Sequence, residues 1–228
     1  MKRKATQRSK TKTEGFKLRS LEAKTDNQKE YIRSIIENDV IFCHGPSGSG
    51  KSFIAAGIAA QKLYQNQIDK VIITRPLVCT GEKIGSLPGG VEEKISPYLM
   101  PMNENFQHFL GPYYGEYCKA SVAGPPRIVH YPLEVMRGAT FHNSYMILDE
   151  AQNCTFEQIK MFITRVGQNS KVLINGDIKQ TDLRDRSGLD RCIKLLSNVE
   201  GVGICTLGIQ DIQRNGILGR ILTALESE

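Results

Sequence analysis

The chain has 228 residues, 40% of them hydrophobic and 24% charged, with a formal net charge of +6. That length and apolar content suffice for one sizeable core, so a single domain with an extension is expected. No window approaches the ~18 apolar residues of a membrane span and no apolar signal core is present, which predicts a soluble, cytoplasmic protein with no membrane contact.

Residues 1–20 hold eight Lys or Arg against one Glu, a net of +7, so the remainder of the chain stands at −1. Such a basic, apolar-poor segment cannot bury enough surface to fold alone, and it is read as a flexible tail ahead of a folded domain over 21–228. Its charge suits either weak, salt-sensitive contact with phosphates or simple solubilisation. Thr25-Asp26-Asn27-Gln28 then leads into a short amphipathic helix over Tyr31 to Ile36, with Asp or Asn as the expected cap.

Val40-Ile41-Phe42-Cys43 is an apolar run that predicts a buried strand, and it passes directly into Gly45-Pro46-Ser47-Gly48-Ser49-Gly50-Lys51-Ser52 and the helix-favouring Phe53-Ile54-Ala55-Ala56. In a strand, glycine loop, helix sequence the loop amides and the free N–H groups of the helix start point at one spot and make it an anion site. Lys51 is placed to reach β- and γ-phosphate oxygens, and the Ser52 hydroxyl to ligate magnesium, a cation that prefers oxygen. All eight residues from Gly45 to Ser52 are therefore candidate nucleotide contacts.

Val71-Ile72-Ile73-Thr74 predicts a second strand ending at Arg75. The stretch from about 77 to 127, rich in Pro, Gly and Tyr, is too long for a simple crossover and is read as an insertion. Further strands are expected around Ile128, Tyr145, Val172 and Gly203, with helices after Ser52, Thr155, Gly188 and Gly216. That alternation predicts an α/β fold, a parallel sheet covered by helices on both faces. Tyr145-Met146-Ile147-Leu148-Asp149-Glu150 is a strand ending in acids: Asp149 suits a metal held through water, and Glu150 suits the base that takes a proton from attacking water. Val172-Leu173-Ile174-Asn175 leads through Gly176-Asp177 to Gln180, whose amide would sense a γ-phosphate. Six cysteines at 43, 79, 118, 154, 192 and 205 form no close pairs and four histidines are scattered, so zinc, redox and Ser-His-Asp readings lack their spacing.

Taken in order, Gly45 to Ser52, Thr74-Arg75-Pro76, Gly81-Glu82-Lys83-Ile84-Gly85, Leu87-Pro88-Gly89, Met136-Arg137-Gly138, Ile147-Leu148-Asp149-Glu150-Ala151-Gln152-Asn153, Met161-Phe162-Ile163-Thr164-Arg165 and Gly176-Asp177 with Gln180 and Asp182 resemble the PhoH family. The resemblance runs from about Thr25 to the C-terminus. It implies a RecA-like P-loop ATPase core, with ATP and Mg2+ as cofactors, acting on RNA or single-stranded DNA and assembling as a homo-oligomer, often a hexameric ring. By the same resemblance Gln28 reads the adenine edge, which a carboxamide can match with one donor and one acceptor; a polar first-turn residue is the alternative. Arg214 becomes a candidate arginine finger, Arg184 and Arg186 are others, and the family's usual Val-Arg-His is Gln213-Arg214-Asn215 here. Arg75, Arg137 and Lys83 are assigned to a nucleic-acid path, with Tyr113, Tyr114 or Tyr117 offered for base stacking. The expected function is magnesium-dependent ATP hydrolysis coupled to RNA or single-stranded DNA. A small-molecule kinase and a non-catalytic nucleotide-gated adaptor are the alternatives.

Overall fold

A computed structural model describes residues 17–76, 91–121, 124–180 and 187–213, together with positions 217, 221 and 224; for 91–97 it describes the backbone alone. Among these residues six strands, β1 (Val40–His44), β2 (Lys70–Thr74), β3 (Ile128–His130), β4 (Ser144–Leu148), β5 (Lys171–Gly176) and β6 (Val202–Thr206), form one sheet in the order β3-β2-β4-β5-β1-β6. Every pairing is parallel. The six apolar runs of the sequence are these six strands; the inner four, β1, β2, β4 and β5, are buried on both faces and read as near-continuous hydrophobic stretches, while the edge strands β3 and β6 are partly exposed.

Alternation along each strand sorts the core into two layers. Ile41, Cys43, Val71, Ile73, Ile147 and Leu173 face α1 (Asp26–Glu37), α2 (Lys51–Tyr64) and α3 (Val91–Leu110). Phe42, Ile72, Met146, Leu148, Val172 and Ile174 face α5 (Phe156–Ile163) and α6 (Gly188–Leu196). The short α4 (Tyr114–Cys118) lies between these groups in the chain. Helix α1 is longer than the Tyr31 to Ile36 pattern predicts, and its cap is Thr25, whose hydroxyl accepts from the Gln28 amide. Helix α5 starts on a reciprocal capping box between Thr155 and Gln158. Of the helix expected after Gly216 only positions 217, 221 and 224 are described, each of them helical; the motifs at 81–89 lie outside the described residues, as does most of the basic tail. Leu18 and Leu21 pack on the core, and the Arg19 amide bonds the Phe109 carbonyl.

The stretch read as an insertion is integral to this core. Met102, Phe106, Phe109 and Leu110 of α3 are buried against α2 and the sheet. Their spacing of i, i+4, i+7 and i+8 is one helical face. Its tyrosines do not form a stacking platform at the nucleotide edge. Tyr114 and Tyr117 pack against the core, Arg127 lies over the Tyr117 ring at 5.4 Å, and Tyr113 meets Tyr64 at 6.2 Å. Tyr64 closes α2, so this cluster sits about 20 Å along that helix from the glycine loop. Half-buried in these contacts and away from the glycine loop, the three rings give the base-stacking expectation no support from their placement. Among the described residues no helix is long and apolar enough to cross a membrane.

Gly57 sets how closely α3 approaches. A Cβ there would come to 2.8 Å of Phe109 Cζ and 3.1 Å of Leu21 Cδ1, and the Phe109 ring is buried with nowhere to move. In an open helix Gly→Ala gains up to about 1 kcal/mol, but overpacking outweighs that here. Gly57→Ala is expected to lower stability by about 1–3 kcal/mol in urea unfolding; a stabilised variant would show that α3 does not press on α2.

Candidate active site

A parallel sheet brings the carboxyl ends of its strands to one edge, and ligands of such sheets sit there. The glycine loop follows β1, Arg75 follows β2, Asp149 follows β4 and Asp177 follows β5. They surround a cleft of about 630 Å³, lined also by residues of α3 and of the segment before α1.

The loop is held from three sides. Its Gly45 amide donates to the Gly176 carbonyl of β5 at 3.1 Å, and its Gly48 carbonyl accepts from the Gln213 amide at 3.2 Å. Gly45 has φ +149°, and a Cβ there would sit 2.1 Å from the Leu207 carbonyl oxygen, so no other residue fits. Gly50, at φ +99°, caps α2 in the left-handed region that suits glycine. Lys51 folds its ammonium back on the loop, donating to the Gly45 carbonyl at 2.6 Å and the Pro46 carbonyl at 2.8 Å. A phosphate would replace two neutral acceptors with a charged one and draw the ammonium across.

Ser52 Oγ donates to Asp149 Oδ1 at 2.6 Å, although 97 residues separate them. Two oxygens on a hard-cation scale of spacing, at the start of a helix and the end of a strand, fit the donor set that magnesium takes. Burial pushes the Asp149 carboxyl above its ordinary value and the neighbouring Glu150 charge adds to the rise, opposed by the Ser52 hydrogen bond, Arg75 and Lys51. A bound divalent cation would reverse that balance.

Glu150 stands in the left-handed region, φ +56°, which costs a non-glycine residue about 1 kcal/mol. Its carboxylate is held from both sides: Arg75 Nη2 lies 3.4 Å from Oε1, and Gln152 Nε2 donates to Oε2 at 2.6 Å. Arg75 is fixed in turn by the Tyr98 carbonyl at 3.1 Å, while Gln152 Oε1 accepts from the Asp177 amide at 3.1 Å. Gly176 makes room for this bridge, since a Cβ there would come to 2.9 Å of Gln152 Oε1. Arg75, with its side chain 25% exposed, thus lines the cleft and grips Glu150, and as a partly exposed pair the two contribute position more than stability.

Gln180 is exposed but lines the same cleft, its amide closing a turn on the Asp177 carbonyl. Gln28 lines it too, yet its carboxamide is already committed. Nε2 donates to the Ser49 carbonyl at 2.9 Å and the Asp211 carbonyl at 3.3 Å, and Oε1 accepts from the Lys24 amide at 2.8 Å. It braces the loop, and the adenine-reading expectation lacks a free donor here. The buried Asp211 extends the brace, accepting from Thr25 Oγ1, from Asn27 Nδ2 at 2.9 Å and from the Gly208 amide at 2.6 Å. Beneath the loop Tyr31 Oη donates to Asn175 Oδ1 at 2.6 Å. Arg137 is exposed on the β3–β4 crossover and does not line the cleft. Lys83, Arg184, Arg186 and Arg214 lie outside the described residues.

Sequence reasoning did not single out Gln152, Asp211 or the α3 residues Pro101, Glu104 and Asn105, all of them at or behind this cleft. The Asp-Glu-Ala-Gln spacing was a signal for Gln152, because a turn of 3₁₀ helix after Glu150 folds that side chain back.

A family model described as PhoH-like protein matches residues 20–226. A PhoH-like protein of Synechocystis is 43% identical over 210 residues, 90% of this chain, and one of Bacillus subtilis is 38% identical over 218 residues, 95% of this chain. The chain spans 62% and 67% of the length of those curated relatives. Among solved structures, the large terminase of a thermophilic bacteriophage superposes with a TM-score of 0.51 at 11% identity, covering 87% of this chain and 49% of that one. That likeness is one of fold, the α/β P-loop NTPase fold.

A carboxyl whose folded pKa is raised costs the folded state stability as pH climbs from the unfolded value to the raised one, and the full cost is present above it. Asp149→Asn removes this burden and keeps an acceptor for Ser52. The nucleotide-free variant should melt about 2–4 °C higher than the parent at pH 8, with the gap closing as pH falls toward the ordinary aspartate value of 3.8. A lower melting temperature at pH 8 would mean that Asp149 stabilises the empty site.

Proposed function

The chain belongs to the PhoH-like protein family, and from that premise we propose that it binds ATP with magnesium and hydrolyses it, coupling turnover to a single strand of RNA or DNA. The observation that carries this reading is the meeting of Ser52 and Asp149 at 2.6 Å beside a Glu150 carboxylate clamped by Arg75 and Gln152.

Each group has a task in that reaction. The loop amides from Gly48 to Ser52 receive the β- and γ-phosphates, and Lys51 leaves the Gly45 and Pro46 carbonyls to neutralise them. Ser52 and Asp149 would hold magnesium, which supplies charge neutralisation at the phosphate oxygens. Glu150 accepts the proton of the attacking water. Its two clamps, Arg75 and Gln152, fix the carboxylate in position for that transfer. Gln180 reports the γ-phosphate through the β5 turn. Arg214 is assigned the arginine finger, from the same or a neighbouring subunit of a homo-oligomeric ring. Arg137, exposed on the β3–β4 crossover, is assigned direct contact with the strand, whereas Arg75 links strand engagement to Glu150.

Phosphate release measured with and without single-stranded RNA tests this. Lys51→Ala is expected to lower turnover about 10²-fold or more, and Glu150→Gln to retain ATP binding while losing about 10²–10⁴ in rate. RNA or single-stranded DNA should raise the wild-type rate. A wild-type rate unmoved by either polymer removes the coupling, and a Lys51→Ala variant of full activity removes the ATPase.

A further inference from the structure

The cleft is lined by groups of two characters. Of its lining, Lys51, Ser52, Asp149 and Glu150 suit phosphate and metal, and Glu22, Phe53, Pro101, Glu104 and Asn105 line it as well. Glu22 and Glu104 carry no affinity for a polyphosphate, so the uncharged part of a nucleotide belongs beside them.

Phe53 follows Ser52 directly on α2 and is half-buried. Its core side rests on Phe109 at 4.7 Å and His108 at 5.3 Å between ring centroids, and its remaining surface borders the cleft. The ring is therefore held in place with a free portion facing the ligand space. Asn105 lies three and four residues before His108 and Phe109, so the three share one face of α3, with Asn105 a turn nearer Pro101. It is half-buried, lines the cleft and has no hydrogen-bond partner among the described residues. Gln28, by contrast, has spent both amide hydrogens on backbone carbonyls.

We propose that the nucleotide's purine base stacks on Phe53 and that Asn105 of α3 reads its edge, which makes Asn105 the specificity-determining residue of the cleft. A carboxamide offers a donor and an acceptor side by side, the pattern a purine edge presents. Stacking on a fixed aromatic ring supplies affinity with little cost in lost side-chain freedom. The assignment rests on the nucleotide reading above and gives α3 a direct part in it.

The test is calorimetric titration of the full chain, with magnesium, by ATP and by inorganic tripolyphosphate, which keeps the phosphates and lacks the base. Asn105→Ala and Phe53→Leu should each weaken ATP about tenfold and leave tripolyphosphate within about twofold. Phe53→Tyr keeps a stacking ring and should restore ATP affinity. Asn105→Ala raises helix propensity on an α3 surface position, so its fold is not at issue. ATP binding unchanged in both variants, or tripolyphosphate weakened in parallel with ATP, overturns the assignment. A wild-type chain that binds neither probe overturns the nucleotide reading and this inference with it.

Discussion

The hydrogen bond from Ser52 to Asp149 is where the fold becomes a site. Ser52 belongs to the unit β1, loop, α2, and Asp149 to β4, and in the sheet β5 lies between β1 and β4. Only an all-parallel sheet whose strands end level, with His44 beside Gly176 and Thr74 beside Leu148, sets those two oxygens against each other. The close packing of α2, through Ala55, Ala56, Ala59 and Ala60, holds the Ser52 end in place. Large side chains at those positions would lift the helix and open the contact.

Around that bond the charges are arranged to stay unsettled until a ligand arrives. Asp149 is buried with its carboxyl pushed up, Lys51 is parked on two neutral carbonyls, and Glu150 occupies a disfavoured backbone conformation that only its clamps make tolerable. A divalent cation would relieve the first and a polyphosphate would draw off the second. The brace behind the loop, by contrast, is fully satisfied: Gln28, Asp211, Thr25 and Asn27 tie α1 and the segment after β6 to the loop backbone. A rigid frame is what holds those groups in position around the cleft.

Much of this was legible in the sequence because it is local. The six strands are short apolar runs, the loop is spelled out by Gly45 to Ser52, and the acids follow their strand without interruption. What the sequence hid is non-local or conformational. Helix α3 carries Pro101, Asn103 and Asn105 between its core residues, and these polar and breaking residues masked the Met102, Phe106, Phe109, Leu110 face. The commitment of Gln28 to the loop, and the meeting of Asp211 with Thr25 across 186 residues, depend on tertiary placement that no spacing rule encodes. The left-handed turn at Glu150, which folds Gln152 back onto it, runs against the ordinary preference of a glutamate.

The most direct measurement is a crystal structure with magnesium and a non-hydrolysable ATP analogue. The account predicts the β- and γ-phosphates within hydrogen-bonding distance of the amides from Gly48 to Ser52, with Lys51 Nζ moved from the Gly45 and Pro46 carbonyls onto phosphate oxygen. A polyphosphate bound elsewhere, or an ammonium still on those two carbonyls with the analogue in place, would contradict it.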